Sequence, residues 1–138
     1  MSYKTNLQSY YDEMLKELKE LIKIPSVYDE KTKTDKMPFG KVVDDALAYV
    51  AGMGERYGFK VDRCDGYCTE LTIGEGERTI GIFAHADVVP ATGKWDSDPF
   101  EPRIENGNYI IDQFQKQLVF LLFNKEPLNL GFNGPLIL

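Results

Sequence analysis

Apolar residues recur at three- and four-residue steps twice in the first half of the chain, and that period fixes two helices before anything else. Leu7, Tyr11, Met14, Leu18 and Leu21 form one stripe; Val43, Ala46, Leu47, Val50 and Met53 form a second. A spacing near the helical repeat puts each set on one face. The first helix is expected to stop before Pro25, because a proline pushes the residue ahead of it out of the α region. Gly58 is expected to stop the second. Gly52 and Gly54 weaken that second helix by about 1 kcal/mol each relative to alanine, and close packing against a sheet would explain them.

Past Gly58 the pattern changes from helical to extended. Short strands are expected over residues 59–63, 69–73 and 79–84, with Gly74-Glu75-Gly76-Glu77 turning the chain between the last two. Residues 26–40 are polar and charged, and read as a long surface loop closed by Pro38. Two helices followed by strands give an α/β fold of packed layers, with the helices against a mixed sheet. After Tyr109 only Asp112, Lys116, Lys125 and Glu126 are charged, Leu118–Phe123 reads LVFLLF, and the final NLGFNGPLIL shows neither helical nor strand period.

Charge and length narrow the function classes. With 138 residues the chain has enough length for one domain with a real core. A net charge of −6 argues against nucleic acid, which needs a basic face. No apolar run approaches the ~20 residues that span a bilayer, and MSYKTNLQSYYDEM carries no signal-peptide apolar core. A cytoplasmic location is therefore expected. The two cysteines, in CDGYC, fit neither the redox motif nor the zinc knuckle, both of which want two intervening residues. They read as reduced thiols, as thiols facing each other across a tight turn, or as two ligands of a structural zinc completed by His85.

The single histidine closes an apolar run. Ile82-Phe83-Ala84 leads into His85, with Asp87 two residues on and Val88-Val89-Pro90 after it. Side chains alternate along an extended chain, so His85 and Asp87 are expected to share one face at the end of a strand. A carboxylate that accepts one ring N–H fixes the imidazole tautomer and leaves the other nitrogen free for a metal. The same pair also suits a buried structural histidine. Trp95 and Phe100 read as packing, and Asp96 and Asp98 as loop and turn acceptors.

The block AHADVVPATGKWDSDPFEPRIENG resembles the zinc-dependent metallopeptidase family of dipeptidases, aminoacylases and deacylases. His85, Asp87, Val88, Val89, Pro90, Trp95, Asp98, Pro99 and Phe100 match its signature, His-x-Asp-Val-Val-Pro, then Trp, then Asp-Pro-Phe. KELIKIPSV, PFG, YGF, DGY and GEGE upstream are similar to the PepV-type bacterial dipeptidases. The resemblance implies that His85 is a zinc ligand and that Asp87, counted with the catalytic residues, orients it. It further implies two zinc ions per complete active site, a metal-activated water, and a dipeptide or N-acyl amino acid as substrate.

The likeness runs from about Tyr11 to Tyr109 and then stops. The family continues with Gly-Arg-Gly, Asp-Asp-Lys-Gly, a Glu-Glu pair and a later histidine, whereas this chain reads IIDQFQKQ and has no second histidine. Asp112 lacks the glycines and lysine of the bridging aspartate, and Pro127 follows Glu126 where a second glutamate belongs. Residues 1–109 are therefore expected to be the N-terminal portion of a metallodipeptidase catalytic domain, and 110–138 a tail foreign to it, as a change of reading frame would leave. Such a fragment is expected to be inactive alone. The alternative is a non-catalytic remnant or partner-binding fragment.

Overall fold

The computed structural model describes residues 3–105, 108–110 and 136–137. Helix α1 spans Tyr3–Ile22 and α2 spans Lys41–Arg56. Strands follow at Lys60–Asp62 (β1), Glu70–Ile73 (β2), Ile80–Gly81 (β3), Arg103–Glu105 (β4), Asn108–Ile110 (β5) and Leu136–Ile137 (β6). Four of them form a mixed sheet in the order β1-β2-β6-β3, antiparallel except for the β3–β6 pair. A separate antiparallel pair joins β4 to β5. No described helix is long and apolar enough to cross a membrane.

The helices are as the apolar spacing predicts, and their ends have local causes. At the end of α2 the Phe59 N–H donates to the Gly54 carbonyl at 2.9 Å and the Gly58 N–H to that of Glu55 at 3.1 Å. This paired return over a residue of positive φ is the Schellman arrangement, and glycine adopts it without strain. Gly54 lies against the sheet: a Cβ there would overlap Leu71, with Cδ1 at 3.2 Å and Cγ at 3.3 Å. Gly52 has no such neighbour, so close packing accounts for only one of the two glycines.

The core joins Leu21 of α1, Ala46, Val50 and Met53 of α2, Leu71 of β2, and Ala86. Among the described residues of the first stripe, Leu18 and Leu21 lie inside, while Tyr11 is 45% exposed. Leu7 has no side chain among those described.

A buried carboxylate that the apolar pattern does not reveal ties the two helices together. Glu17 accepts from the Tyr49 hydroxyl at 2.5 Å and from Arg56 Nη2 at 2.7 Å. Burial pushes its carboxyl up, but the hydrogen bonds from Tyr49 and Arg56 outweigh that and hold it below the ordinary 4.5. A folded value below the unfolded one stabilises the protein above the unfolded pKa, and the gain is lost as pH falls through the folded value. Thermal unfolding followed from pH 7 downward is expected to show this loss below about pH 4.5, and Glu17→Gln to remove it. A melting curve for the variant that keeps the same acid dependence would refute the assignment. Tyr57 shows the opposite sign. Burial and a hydrogen bond with Glu13 push its hydroxyl up to about 12, so its contribution is lost at alkaline pH.

The sheet departs from expectation at its third strand. The third strand, expected over 79–84, is limited to Ile80–Gly81, since its neighbour β6 offers only Leu136–Ile137. β2 and β3 are not paired, because β6 lies between them. Leu136 and Ile137, from a stretch with no strand period of its own, thus join the sheet. LVFLLF, Asp112 and Glu126 lie outside the described residues.

Candidate functional site

His85 sits four residues beyond β3, on extended backbone that pairs with none of the described strands. Alternation persists all the same. Ala86 and Val88 are buried, while Phe83, His85, Asp87 and Val89 face outward. Ser26 holds the segment in place from the start of the long loop. Its hydroxyl donates to the Ala86 carbonyl at 2.6 Å, and its own carbonyl accepts the Val88 N–H at 3.0 Å. These two bonds bracket Asp87 and do the work that a neighbouring strand would do.

Ser26 is 0% exposed, so removing its hydroxyl leaves the Ala86 carbonyl without that partner and without water. Ser26→Ala is expected to cost about 1–3 kcal/mol in urea unfolding. Unchanged stability would show that the hydroxyl does not anchor the segment. Sequence reasoning missed this residue as a positioning group, although it lies within the KELIKIPSV stretch that carried part of the resemblance.

The structure brings His85 and Asp87 together on one face. His85 Nδ1 is 3.0 Å from the Asp87 carbonyl oxygen and 3.3 Å from its Oδ1. Two acceptors on one nitrogen favour the tautomer with the proton on Nδ1, which leaves the Nε2 lone pair unused. The side chains are 47% and 60% exposed, so the histidine is not buried in an apolar interior.

Beside the pair lies a cavity of about 340 Å³. Val43, Leu47, Val50 and Met53 of α2 form its floor, Tyr28, Phe39 and Tyr67 stand around it, and His85 and Asp87 reach its edge. Its walls are mostly apolar, with the imidazole and carboxylate as polar groups at one side. That is the usual make-up of a small-molecule site.

An imidazole held at Nδ1 with Nε2 free is the form that ligates a metal. A zinc ion takes four ligands, or three with water. Among the described residues no three His, Cys, Asp or Glu side chains come together, so they supply one candidate ligand and not a complete site. The alternative of a structural zinc on Cys64, Cys68 and His85 is not assembled either.

The neighbouring residues largely serve the loop. Asp98 is a turn acceptor as expected, taking the Phe100 N–H on Oδ1 at 2.9 Å and the Glu101 N–H on its carbonyl at 3.1 Å. Phe100 is half-buried, whereas Trp95 is packed only in part, with 39% of its surface exposed.

No protein-family model matches the chain. It is similar to the Bacillus subtilis (strain 168) protein named "Putative dipeptidase YtjP", 35% identical over 107 residues, which is 78% of this chain and 23% of the relative. A Staphylococcus epidermidis protein named "Putative dipeptidase" is 35% identical over 108 residues, again 78% of this chain and 23% of the relative. A Staphylococcus haemolyticus protein of like name is 36% identical over 100 residues, 72% of this chain and 21% of the relative. The chain thus spans about a quarter of the length of these curated relatives, and over most of its own length it is similar to proteins that carry the name "Putative dipeptidase".

Proposed function

We propose that this chain carries the histidine arm of a zinc-dependent dipeptidase of the PepV type, acting on dipeptides or N-acyl amino acids. The observation that supports this best is the aim of His85, with Nδ1 turned to the carbonyl oxygen and Oδ1 of Asp87 and Nε2 left free, in a stretch similar to proteins named "Putative dipeptidase". Zinc in such a site polarises the scissile carbonyl and acidifies a bound water. The described donors do not complete a zinc cage, so the role assigned to this chain ends at its own groups. Asp87 holds the proton on Nδ1 and fixes the ring plane; His85 presents Nε2.

The chain by itself is proposed to lack turnover, and the second reading, a non-catalytic remnant, rests on the missing cluster of donors among the described residues. One measurement addresses the histidine arm directly. His85 is the only histidine, so a chain labelled with ¹⁵N-histidine gives a single imidazole. Titration with zinc is expected to shift Nε2 and to leave the Nδ1 proton in place. Asp87→Asn is expected to weaken that binding by about 10–100-fold. Zinc that binds without moving the imidazole, or an imidazole protonated on Nε2, would sink the proposal. Dipeptide hydrolysis by the purified chain with about two zinc ions bound would instead overturn the remnant reading.

A further inference from the structure

The cavity beside His85 has a floor that water is poorly suited to fill. Val43, Val50, Met53 and Leu71 are all buried, yet each borders this space of about 340 Å³. Packed interiors leave few voids larger than a water molecule. An apolar cavity of about 150 Å³ already holds benzene. The polar groups in the wall are largely engaged elsewhere. The Thr69 hydroxyl donates to the Leu47 carbonyl at 2.9 Å. The Tyr28 hydroxyl donates to Glu30 Oε2 at 3.1 Å and accepts from Lys33 Nζ at 3.2 Å. Cys68 adds only a weak thiol donor. A buried water normally makes about three hydrogen bonds, and the floor does not offer them.

The mouth differs from the floor. Tyr28 and Tyr67 are 48% and 63% exposed there, and the Phe39 ring meets that of Tyr67 edge-on at 5.9 Å. His85 and Asp87 occupy one edge, with Nε2 of the imidazole unused. The space therefore suits a molecule that is hydrocarbon along most of its length and polar at one end.

We propose that this cavity is a specificity pocket, which takes a branched or aromatic hydrocarbon group of the substrate while the adjoining carbonyl stays at the His85 edge. The inference rests on the dipeptidase reading for the kind of molecule bound, and adds which groups are preferred and which residues choose them. Two sources carry that chemistry, the side chain of a dipeptide and the acyl group of an N-acyl amino acid. A methyl group leaves most of the space empty, whereas each further methylene that leaves water gains about fourfold in affinity. Tyr67 covers the hydrocarbon at the entrance. Leu47, half-buried on α2, borders the space within and limits its size.

The full chain without zinc, labelled with ¹⁵N-histidine, tests this in two arms. One compares L-leucyl-L-alanine with L-alanyl-L-alanine, the other N-benzoylglycine with N-acetylglycine, each followed by the His85 imidazole signal. The larger member is expected to bind about tenfold or more tightly in at least one arm, and that arm identifies the group. Leu47→Phe fills the space and should bring the two members within about threefold of each other. Tyr67→Ala removes an exposed ring that the fold does not need. It should weaken the larger ligand about two- to tenfold and leave the smaller one unchanged. Equal binding of large and small members in both arms would overturn the proposal. So would a preference that survives both substitutions, or tight binding that leaves the imidazole signal unmoved. Zinc binding at Nε2 without any such preference would sink the pocket and spare the dipeptidase reading. A preference that holds while zinc leaves the imidazole untouched would do the reverse.

Discussion

Gly66→Ala is expected to destabilise the fold by about 3 kcal/mol or more. The residue has φ of 86°, where an alanine pays a conformational penalty of about 1 kcal/mol. The larger part is steric. An added Cβ would overlap the Lys36 carbonyl oxygen and lie 3.0 Å from its carbon and 3.1 Å from Pro38 Cδ. These are backbone and ring atoms, so they cannot swing aside as a flexible side chain can. The long loop must move away from the CDGYC turn, at a total cost of about 3 kcal/mol or more, a large share of the stability of a small domain. Gly58→Ala provides the control. Its φ of 80° is similar, yet nothing lies within 4 Å of its Cβ position, so only the conformational penalty should appear. Urea unfolding of both variants checks the difference. Equal effects would mean that the loop does not pack on Gly66.

The next largest effect is expected at Leu21. Leu21 and Met53 are both 1% exposed and belong to the same core cluster. Leu21→Ala should cost about 2–5 kcal/mol, the range for a buried large-to-alanine change. Met53→Ala should cost less, because Met53 lines the 340 Å³ cavity and already lacks contacts on one side. Leu21 lies at the contact between α1 and the rest, and its removal opens a new void there. The comparison uses ΔG from chemical denaturation. A larger loss at Met53 would show that the cavity is closed and well packed around that side chain.

Part of both the fold and the site was legible in the chain alone. Periodicity located α1 and α2, because a helix is built from contacts three and four residues apart. The placement of His85 and Asp87 on one face also follows from local geometry, since extended backbone alternates whether or not it is hydrogen-bonded into a sheet. Their expected position at a strand end was less accurate. β3 stops at Gly81, because strand length depends on a partner, and the partner is supplied by residues at the far end of the chain.

What composition and spacing could not convey is the set of contacts between distant residues. Ser26 reads as the first polar residue of a loop, and nothing nearby says that it will be buried against Ala86, sixty residues on. Glu17 looks like one more charge on a wet helix face until Tyr49 and Arg56 arrive from α2. The left-handed turn at Cys64 and Asp65 is held by Lys36, which reaches Asp65 from twenty-nine residues upstream.

The sequence by itself determined the two helices, the shared face of His85 and Asp87 and the signature that resembles dipeptidases, all of which depend on neighbours within a few positions. Only the tertiary structure decided that β6 separates β2 from β3, that Ser26 anchors the histidine segment, and that an apolar cavity opens beside it. The reason is physical. Backbone hydrogen bonding and side-chain direction are set residue by residue, whereas burial depends on which remote segments happen to close over a side chain.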